Sequence, residues 1–251
     1  MLKRIPTRLG KEPLVDALFQ IRFLSVSSSL ATLLPGFLFA RNVGVLPGIQ
    51  RLPLADIPQH VRDNTPELQY HPLLRIEFEH FFATVGDKVV VIGCKLPYPG
   101  WTSFKAKILE VLDGLGPLDI LSEVELVSLK YVDVLEKAAA GDGISQLEAK
   151  VEVAGRVVSS GKTMLRTSFL ADGLSNDLQL FTPFDGEVAG RGALQGIAIE
   201  VETTMAREIL TAPPGLEAMP QHLDRLHGVN KSVFFDVLTE EVVGKLDPIY
   251  E

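Results

Sequence analysis

The alternation of apolar and polar residues along the chain predicts a protein built mainly from β-strands. Residues 17–24 place Phe19, Ile21 and Phe23 on one face and polar side chains on the other, which is the period of a half-buried strand. The run VVVIGC at residues 89–94 is apolar on both faces and predicts a strand in the middle of a sheet. This run belongs to a strand predicted at residues 88–96, and further strands are predicted at residues 73–85, 123–135, 146–154, 162–170, 177–181 and 194–203.

Two long amphipathic helices are predicted from apolar residues that recur at helical spacing. The first covers residues 102–115, and the second covers residues 218–238. A shorter helix is expected at residues 30–41, where Pro35 and the glycine after it would kink the helix. Thr239 precedes a final short helix in the spacing of an N-terminal cap.

The order of these elements favours the α+β class, with mostly antiparallel sheets and helices that follow groups of strands. We expect one compact unit over residues 1–251, with two similar sheet-plus-helix halves at 1–118 and 119–251. The pattern L-R-x-x-F occurs once in each half, at Leu74 to Phe78 and at Leu165 to Phe169. If the halves are duplicates, both phenylalanines should be buried and both arginines should lie on the opposite face of the sheet.

Composition and charge narrow the classes of partner. The chain has 251 residues, and its 24 Lys and Arg against 32 Asp and Glu give a net charge of −8. An acidic balance argues against non-specific nucleic-acid binding, which only Arg51, Arg62 and the basic N-terminus favour. No run of 18 apolar residues occurs, so we expect no membrane partner. A single cysteine, Cys94, excludes an intrachain disulfide and favours a cytoplasmic protein.

The familiar catalytic and cofactor motifs do not fit this sequence. Gly161-Lys162-Thr163 resembles the end of a phosphate-binding loop, but Gly155 lies one residue too far upstream and a strand follows. Lys162→Ala should therefore leave nucleotide affinity unchanged. The histidines are dispersed, and Cys94 stands in an apolar strand where a thiol is usually inert. The sequence predicts no catalytic residue, no metal and no cofactor, which leans against an enzyme.

Five residues remain as candidates for binding. The strand residues Arg75, Glu77, Tyr131 and Arg166 would lie either in a solvated network of ion pairs or on the polar floor of a groove. Trp101 stands at a strand-to-helix junction, where it would either pack beneath the helix or offer a platform to a ligand. The sequence leaves both alternatives open.

Several segments resemble a known family of bacterial proteins. They include PLVDALFQIRF, HPLLRIEFEH and LPYPGWTSFKAKILEVLD, and the C-terminal LTEEVVGKLDP is among the more specific. The family is sporadically distributed among bacteria and functionally uncharacterised, so it brings no active-site residue. The resemblance implies a prokaryotic, cytoplasmic protein of one unit. A patchy distribution further implies an accessory gene, such as a defence or toxin–antitoxin component.

The leading functional hypothesis is a non-enzymatic binding or interaction protein, because no constellation for catalysis, metal or cofactor binding fits. Such a protein would present a groove or an oligomer surface, for example that of a homodimer. The alternative is a small-molecule binder or an enzyme with a cavity between a curved sheet and a long helix. In that alternative Arg75, Glu77, Arg166 or Tyr131 would supply the polar contacts.

Overall fold

The computed structural model describes a mixed α+β protein with mostly antiparallel pairing. The described residues are 4–26, 29–41, 48–116, 120, 123–141, 143–159, 161–210 and 217–250. Their strands are β1 (Arg8–Leu9), β2 (Leu14–Phe23), β3 (Gly48–Arg51), β4 (Pro72–Glu77), β5 (Phe81–Gly86), β6 (Val89–Cys94), β7 (Val124–Glu136), β8 (Val151–Val153), β9 (Arg156–Val158), β10 (Thr163–Ala171), β11 (Leu174–Val188), β12 (Gly192–Ala206) and β13 (Pro248–Ile249). Their helices are α1 (Leu30–Arg41), α2 (Gln59–Asp63), α3 (Trp101–Asp113), α4 (Lys137–Ala140), α5 (Met219–Val237) and α6 (Glu240–Lys245). No described helix has both the length and the apolar character that a membrane crossing requires.

The chain divides into two compact units. The first unit comprises Met1–Ala17, Lys130–Thr203 and Leu226–Glu251, and the second comprises Leu18–Leu129 and Thr204–Arg225. The boundaries fall within β2, β7, β12 and α5. Because each unit draws on separate segments of the chain, neither equals a continuous half, and the halves that meet after residue 118 stay a prediction.

In the second unit the strand order is β2-β6-β5-β4-β3. The predicted central position of β6 is confirmed, since β6 pairs antiparallel with both β2 and β5. Phe19, Ile21 and Phe23 of β2 are fully buried, as the alternating pattern predicts. Helix α3 follows β6 and buries one stripe of side chains, namely Phe104, Ile108, Val111 and Leu112.

One predicted strand of the second unit is in fact two strands. The single run expected over residues 73–85 forms β4 and β5, which pair antiparallel with each other. The chain reverses at Glu79 and His80, both exposed, and the amide of Phe78 donates to the carbonyl of Phe81 at 2.9 Å. Apolar residues on both sides of this short polar turn concealed it in the sequence pattern.

In the first unit the strand order is β10-β11-β12-β7. Asp172 and Gly173 join β10 to β11, and their φ angles of +49° and +74° are those of a two-residue hairpin turn. The predicted cap of α6 is confirmed, because the Thr239 hydroxyl accepts from the amide of Val242 at 3.3 Å.

The strand predicted over residues 146–154 is observed only in part. Only Val151–Val153 form a strand there, β8, which pairs with β9 in a separate two-stranded sheet. The turn of this hairpin is Ala154-Gly155, where both φ angles are positive. The side chain of Val153 is 61% exposed. Strands β9 and β10 belong to different sheets and do not pair with each other.

The burial predicted for the two L-R-x-x-F phenylalanines is not observed. Phe169 is 38% exposed, and Phe78 is half-buried just beyond the end of β4. Phe169 is exposed because β10 is the last strand in its order and has a neighbour on one side only. Residues 73–115 and 164–238 do share an element order, since each stretch contains three strands followed by a helix.

Candidate interaction surface

Within the order β10-β11-β12-β7 of the first unit, the most exposed strand is β10. It is nine residues long and stands at the end of the order β10-β11-β12-β7, so no described strand lies beyond it. The side chains of Met164 and Leu170 are 74% and 75% exposed, and that of Phe169 is 38% exposed. Three large apolar side chains therefore lie in solvent along one sheet edge.

The turn between β10 and β11 determines which backbone groups of β10 point outward. A two-residue hairpin turn is closed by a hydrogen-bonded pair, here Ala171 and Leu174. Hydrogen-bonded pairs alternate with non-bonded pairs along an antiparallel ladder. The N–H and C=O groups that point away from β11 are therefore those of Met164, Arg166, Ser168 and Leu170.

Strand β10 lacks the usual protection of a sheet edge. Proteins commonly shorten such strands or place proline or lysine in them, which discourages pairing with another chain. Strand β3, at the end of the order in the second unit, is only four residues long. Thr163–Ala171 contains neither proline nor lysine. Its single charge, Arg166, lies 3.9 Å from the carboxylate of Asp177 on β11. The edge is therefore long, apolar and open to pairing.

Two of the sequence-predicted binding residues, Arg75 and Glu77, meet on β4 in the second unit. The Arg75 guanidinium donates to Glu77 and lies 3.8 Å from the centre of the Phe82 ring. Lys95, the residue after β6, forms a second ion pair with Glu77 at 2.8 Å. The hydrogen bond from Arg75 lowers the pKa of the Glu77 carboxyl most, and the hydrogen bond from Lys95 lowers it further. These groups form a local ion-pair network, one of the two alternatives that the sequence leaves open.

Trp101, also in the second unit, is the first residue of α3. Its ring lies edge-on to that of Phe104, with 6.3 Å between the centroids, and its Nε1 donates to Asp224 at 3.1 Å. Lys105 binds the same carboxylate at 2.6 Å. Trp101 is half-buried and contacts both Phe104 and Asp224. These contacts correspond to packing against the helix, which is the first of its two predicted roles.

Tyr131 and Arg166 belong to the first unit. Tyr131 is 8% exposed, and its hydroxyl lies 3.4 Å from Nδ1 of His227 on α5. Arg166 lies on the exposed edge strand. Among the five predicted residues the structure brings Arg75 and Glu77 into contact, and it places Arg166 on the surface described above.

A cleft of about 490 Å³ also lies in the first unit. Four of its charged lining residues form two ion pairs, in which Lys11 lies 3.2 Å from Asp247 and Arg191 lies 3.3 Å from Glu136. Arg191 is also fixed by the carbonyl of Glu12, to which it donates at 2.7 Å. The lining residues are Lys11, Glu12, Pro13, Val134, Glu136, Ala138, Ala139, Arg191, Lys245, Leu246 and Asp247.

A buried carboxyl group, that of Asp133, directly precedes a lining residue of this cleft in the sequence. Asp133 precedes the lining residue Val134 on β7 and is only 5% exposed. Burial raises the pKa of Asp133 well above its usual value, and the negative charge of Glu12 raises it further, whereas Arg191 opposes both effects. In the sequence this group is one aspartate among the apolar residues of β7, and nothing in the local pattern indicates its burial.

Asp133→Asn is expected to raise the free energy of unfolding at pH 7 by about 1–3 kcal/mol. Because burial raises the pKa of Asp133, the folded chain should keep the proton of this carboxyl to a higher pH than the unfolded chain does. The free energy of unfolding of the wild type should therefore fall as the pH rises from the unfolded-state pKa of Asp133 towards its folded-state pKa. The variant should lack this pH dependence.

Urea denaturation between pH 4 and pH 8 measures the effect of Asp133→Asn. Asp185→Asn, at an exposed position on β11, is the control and should follow the wild type. Equal stability of the wild type and Asp133→Asn at every pH would contradict the raised pKa of the buried Asp133 carboxyl.

Comparison of the sequence with known protein families and with curated proteins finds no match. The resemblance to a bacterial family therefore remains an expectation.

Proposed function

We propose that this protein is a non-enzymatic interaction protein that receives an extended segment of a protein partner along β10. The observation that carries the proposal is the nine-residue edge strand, whose apolar side chains Met164, Phe169 and Leu170 lie in solvent. In strand addition the main chain supplies the hydrogen bonds, and alternate side chains supply specificity. Strand β10 offers outward amide and carbonyl groups together with apolar side chains for both purposes.

The proposal includes an internal duplication, with the long amphipathic helices α3 and α5 as equivalent parts. Strands β4, β5 and β6 before α3 match β10, β11 and β12 before α5 in element order. The outer edge of β4 is covered by β3, with Ile49 opposite Ile76. No described strand covers β10, its counterpart. A partner strand on β10 would occupy the position that β3 occupies on β4.

This function suits the cellular role that the family resemblance implies. A cytoplasmic accessory protein of a defence or toxin–antitoxin system would act by binding another protein. An acidic chain with a net charge of −8 favours a protein partner over nucleic acid.

The test uses peptides, because strand addition depends mainly on the main chain. Nine-residue peptides are selected from a random display library on the immobilised protein, and their affinities are measured by calorimetry. Ser168→Pro removes one outward amide and leaves the ladder to β11 intact, since proline is tolerated at an outward-facing edge position. We expect this variant to weaken peptide binding by about tenfold or more.

Val157→Lys is the control for the selected peptides, because Val157 is a 60% exposed apolar residue of β9 in a different sheet. It should leave their affinities unchanged. Bound peptide should slow amide hydrogen exchange in residues 163–171. A selection without binders, or binders indifferent to Ser168→Pro, would refute the proposal.

A second candidate function is favoured by the cleft of the first unit. Its volume of about 490 Å³ and its paired charges would suit a small polar molecule. A metabolite retained in native mass spectrometry of the purified protein, and lost in Arg191→Ala, would support this function. Its absence from both proteins would count against it.

A further inference from the structure

We infer that the partner of β10 is a second copy of this chain, with two β10 strands paired antiparallel about a two-fold axis through Thr167. The inference rests on the proposed function, because it names the partner for the same edge. It follows from the sequence of the strand, from the direction of its backbone groups and from its charges.

The outward backbone groups limit the allowed registers. In an antiparallel pair, a residue that points its N–H and C=O outward must face another such residue. The outward residues of β10 are the even-numbered ones, so a two-fold axis has to pass through a residue. An axis through Thr167 lets the whole of Thr163–Ala171 pair with itself.

In this register the apolar side chains meet. Met164 lies opposite the partner's Leu170, and Leu165 lies opposite the partner's Phe169. The two-fold axis produces this pair of Met164 and Leu170 at both ends of the contact, so all four exposed side chains would be covered. Apolar cross-strand pairs of this kind stabilise antiparallel sheets.

The neighbouring registers are worse. An axis through Arg166 would set two arginines directly opposite each other, which is destabilising. An axis through Ser168 would leave Met164 opposite the turn residue 172, beyond the end of the strand. The register centred on Thr167 is therefore the favoured one.

The charges are complementary in the register centred on Thr167. Within one chain Ser168 lies opposite Asp177, and Arg166 lies opposite Gln179. In the pair, Arg166 would also lie opposite the partner's Ser168, whose other neighbour is the partner's Asp177. Each cross-strand row then contains one arginine and one aspartate and is neutral.

The contact is expected to be weak and concentration-dependent. Its four outward residues on each strand would form about eight main-chain hydrogen bonds. A two-strand contact nevertheless lies at the small end of protein interfaces, for which dissociation constants on the order of micromolar are typical. Sedimentation velocity over a wide range of concentrations is the appropriate measurement.

Cysteine cross-linking tests the position of the axis. In Thr167→Cys the two introduced thiols would lie at a non-hydrogen-bonded pair with Cα atoms about 4.5 Å apart, within the range of a disulfide. Cys94 is buried and does not compete. Mild oxidation should yield a disulfide-linked dimer. Met164→Cys is the control, because its thiols would lie about 20 Å apart along the strands and should not cross-link.

A charge swap tests the register in solution. Met164→Lys and Leu170→Glu should each weaken self-association by about tenfold or more. The double variant should recover most of it, because each introduced lysine would lie opposite an introduced glutamate. Val157→Lys is the control for an added surface charge and should associate like the wild type.

These experiments distinguish the second copy as partner from the proposed function of β10. A protein that remains monomeric at high concentration, with no cross-link in Thr167→Cys, overturns the second copy as partner, whereas peptide binding at β10 would leave the proposed function standing. A dimer that neither Met164→Lys nor Leu170→Glu weakens also overturns the inference. Equal cross-linking of Thr167→Cys and Met164→Cys overturns the register.

Discussion

Arg62→Met is expected to lower the free energy of unfolding by about 3–5 kcal/mol, because it would leave a buried carboxylate without its partner. The Arg62 guanidinium binds Asp87 through two hydrogen bonds of 2.7 and 3.1 Å and also donates to the carbonyl of Ile57. The two side chains are 8% and 6% exposed. Asp87 therefore has little contact with water that could compensate for the lost guanidinium.

The pH dependence of Arg62→Met provides a second readout. Burial alone would raise the pKa of Asp87, but hydrogen bonds from Arg62 and Ser29 outweigh it and lower the pKa below its usual value. A carboxylate with a lowered pKa stabilises the fold above the unfolded pKa, and this contribution is lost as the pH falls through the folded pKa. The variant should therefore show a smaller loss of stability between neutral and acidic pH.

Arg51→Met is the matched control for Arg62→Met. Arg51 pairs with Asp56 at 3.0 Å, but the two side chains are 67% and 81% exposed. Exposed pairs of this kind contribute only tenths of a kcal/mol. Urea denaturation of both variants makes the comparison. Equal losses in the two would show that the burial of the Arg62–Asp87 pair carries no weight.

Strong local periodicity explains which elements could be predicted from the sequence. Phe19, Ile21 and Phe23 of β2 and the buried stripe of α3 each repeat within a few residues, so one face can be read from the letters alone. The sequence pattern does not reveal the split between β4 and β5, because the turn at residues 78–80 is shorter than the apolar runs around it. Residues 146–154 alternate like a strand, but only Val151–Val153 pair, in a separate hairpin whose turn at Ala154 and Gly155 has positive φ angles.

The candidate surface was only partly visible in the sequence. The segment that forms β10 was predicted as a strand, but its place at the end of a sheet depends on strand order, which no local pattern encodes. The contact of Arg75 with Glu77 could be expected, because residues two apart share a face of a strand. The Arg62–Asp87 pair joins residues 25 positions apart and leaves no mark in the sequence.

Gly196→Ala is expected to lower the free energy of unfolding by more than about 4 kcal/mol or to prevent folding. Gly196 lies on β12 with a φ angle of +154°, which side chains rarely adopt. A Cβ atom there would lie 1.9 Å from the carbonyl oxygen of Leu135 and 2.9 Å from the amide nitrogen of Lys137. These are backbone atoms of β7 and of the residue after it, so they cannot turn away as a flexible side chain would.

Gly192→Ala separates the steric effect from backbone strain. Gly192 has a φ angle of +78°, but a Cβ atom there would meet no atom within 4 Å. Its substitution should cost only about 1–2 kcal/mol, from the left-handed conformation alone. Thermal and urea denaturation of both variants give the difference. A Gly196→Ala protein no less stable than Gly192→Ala would mean that β12 does not approach the backbone at Leu135 as closely as the structure shows.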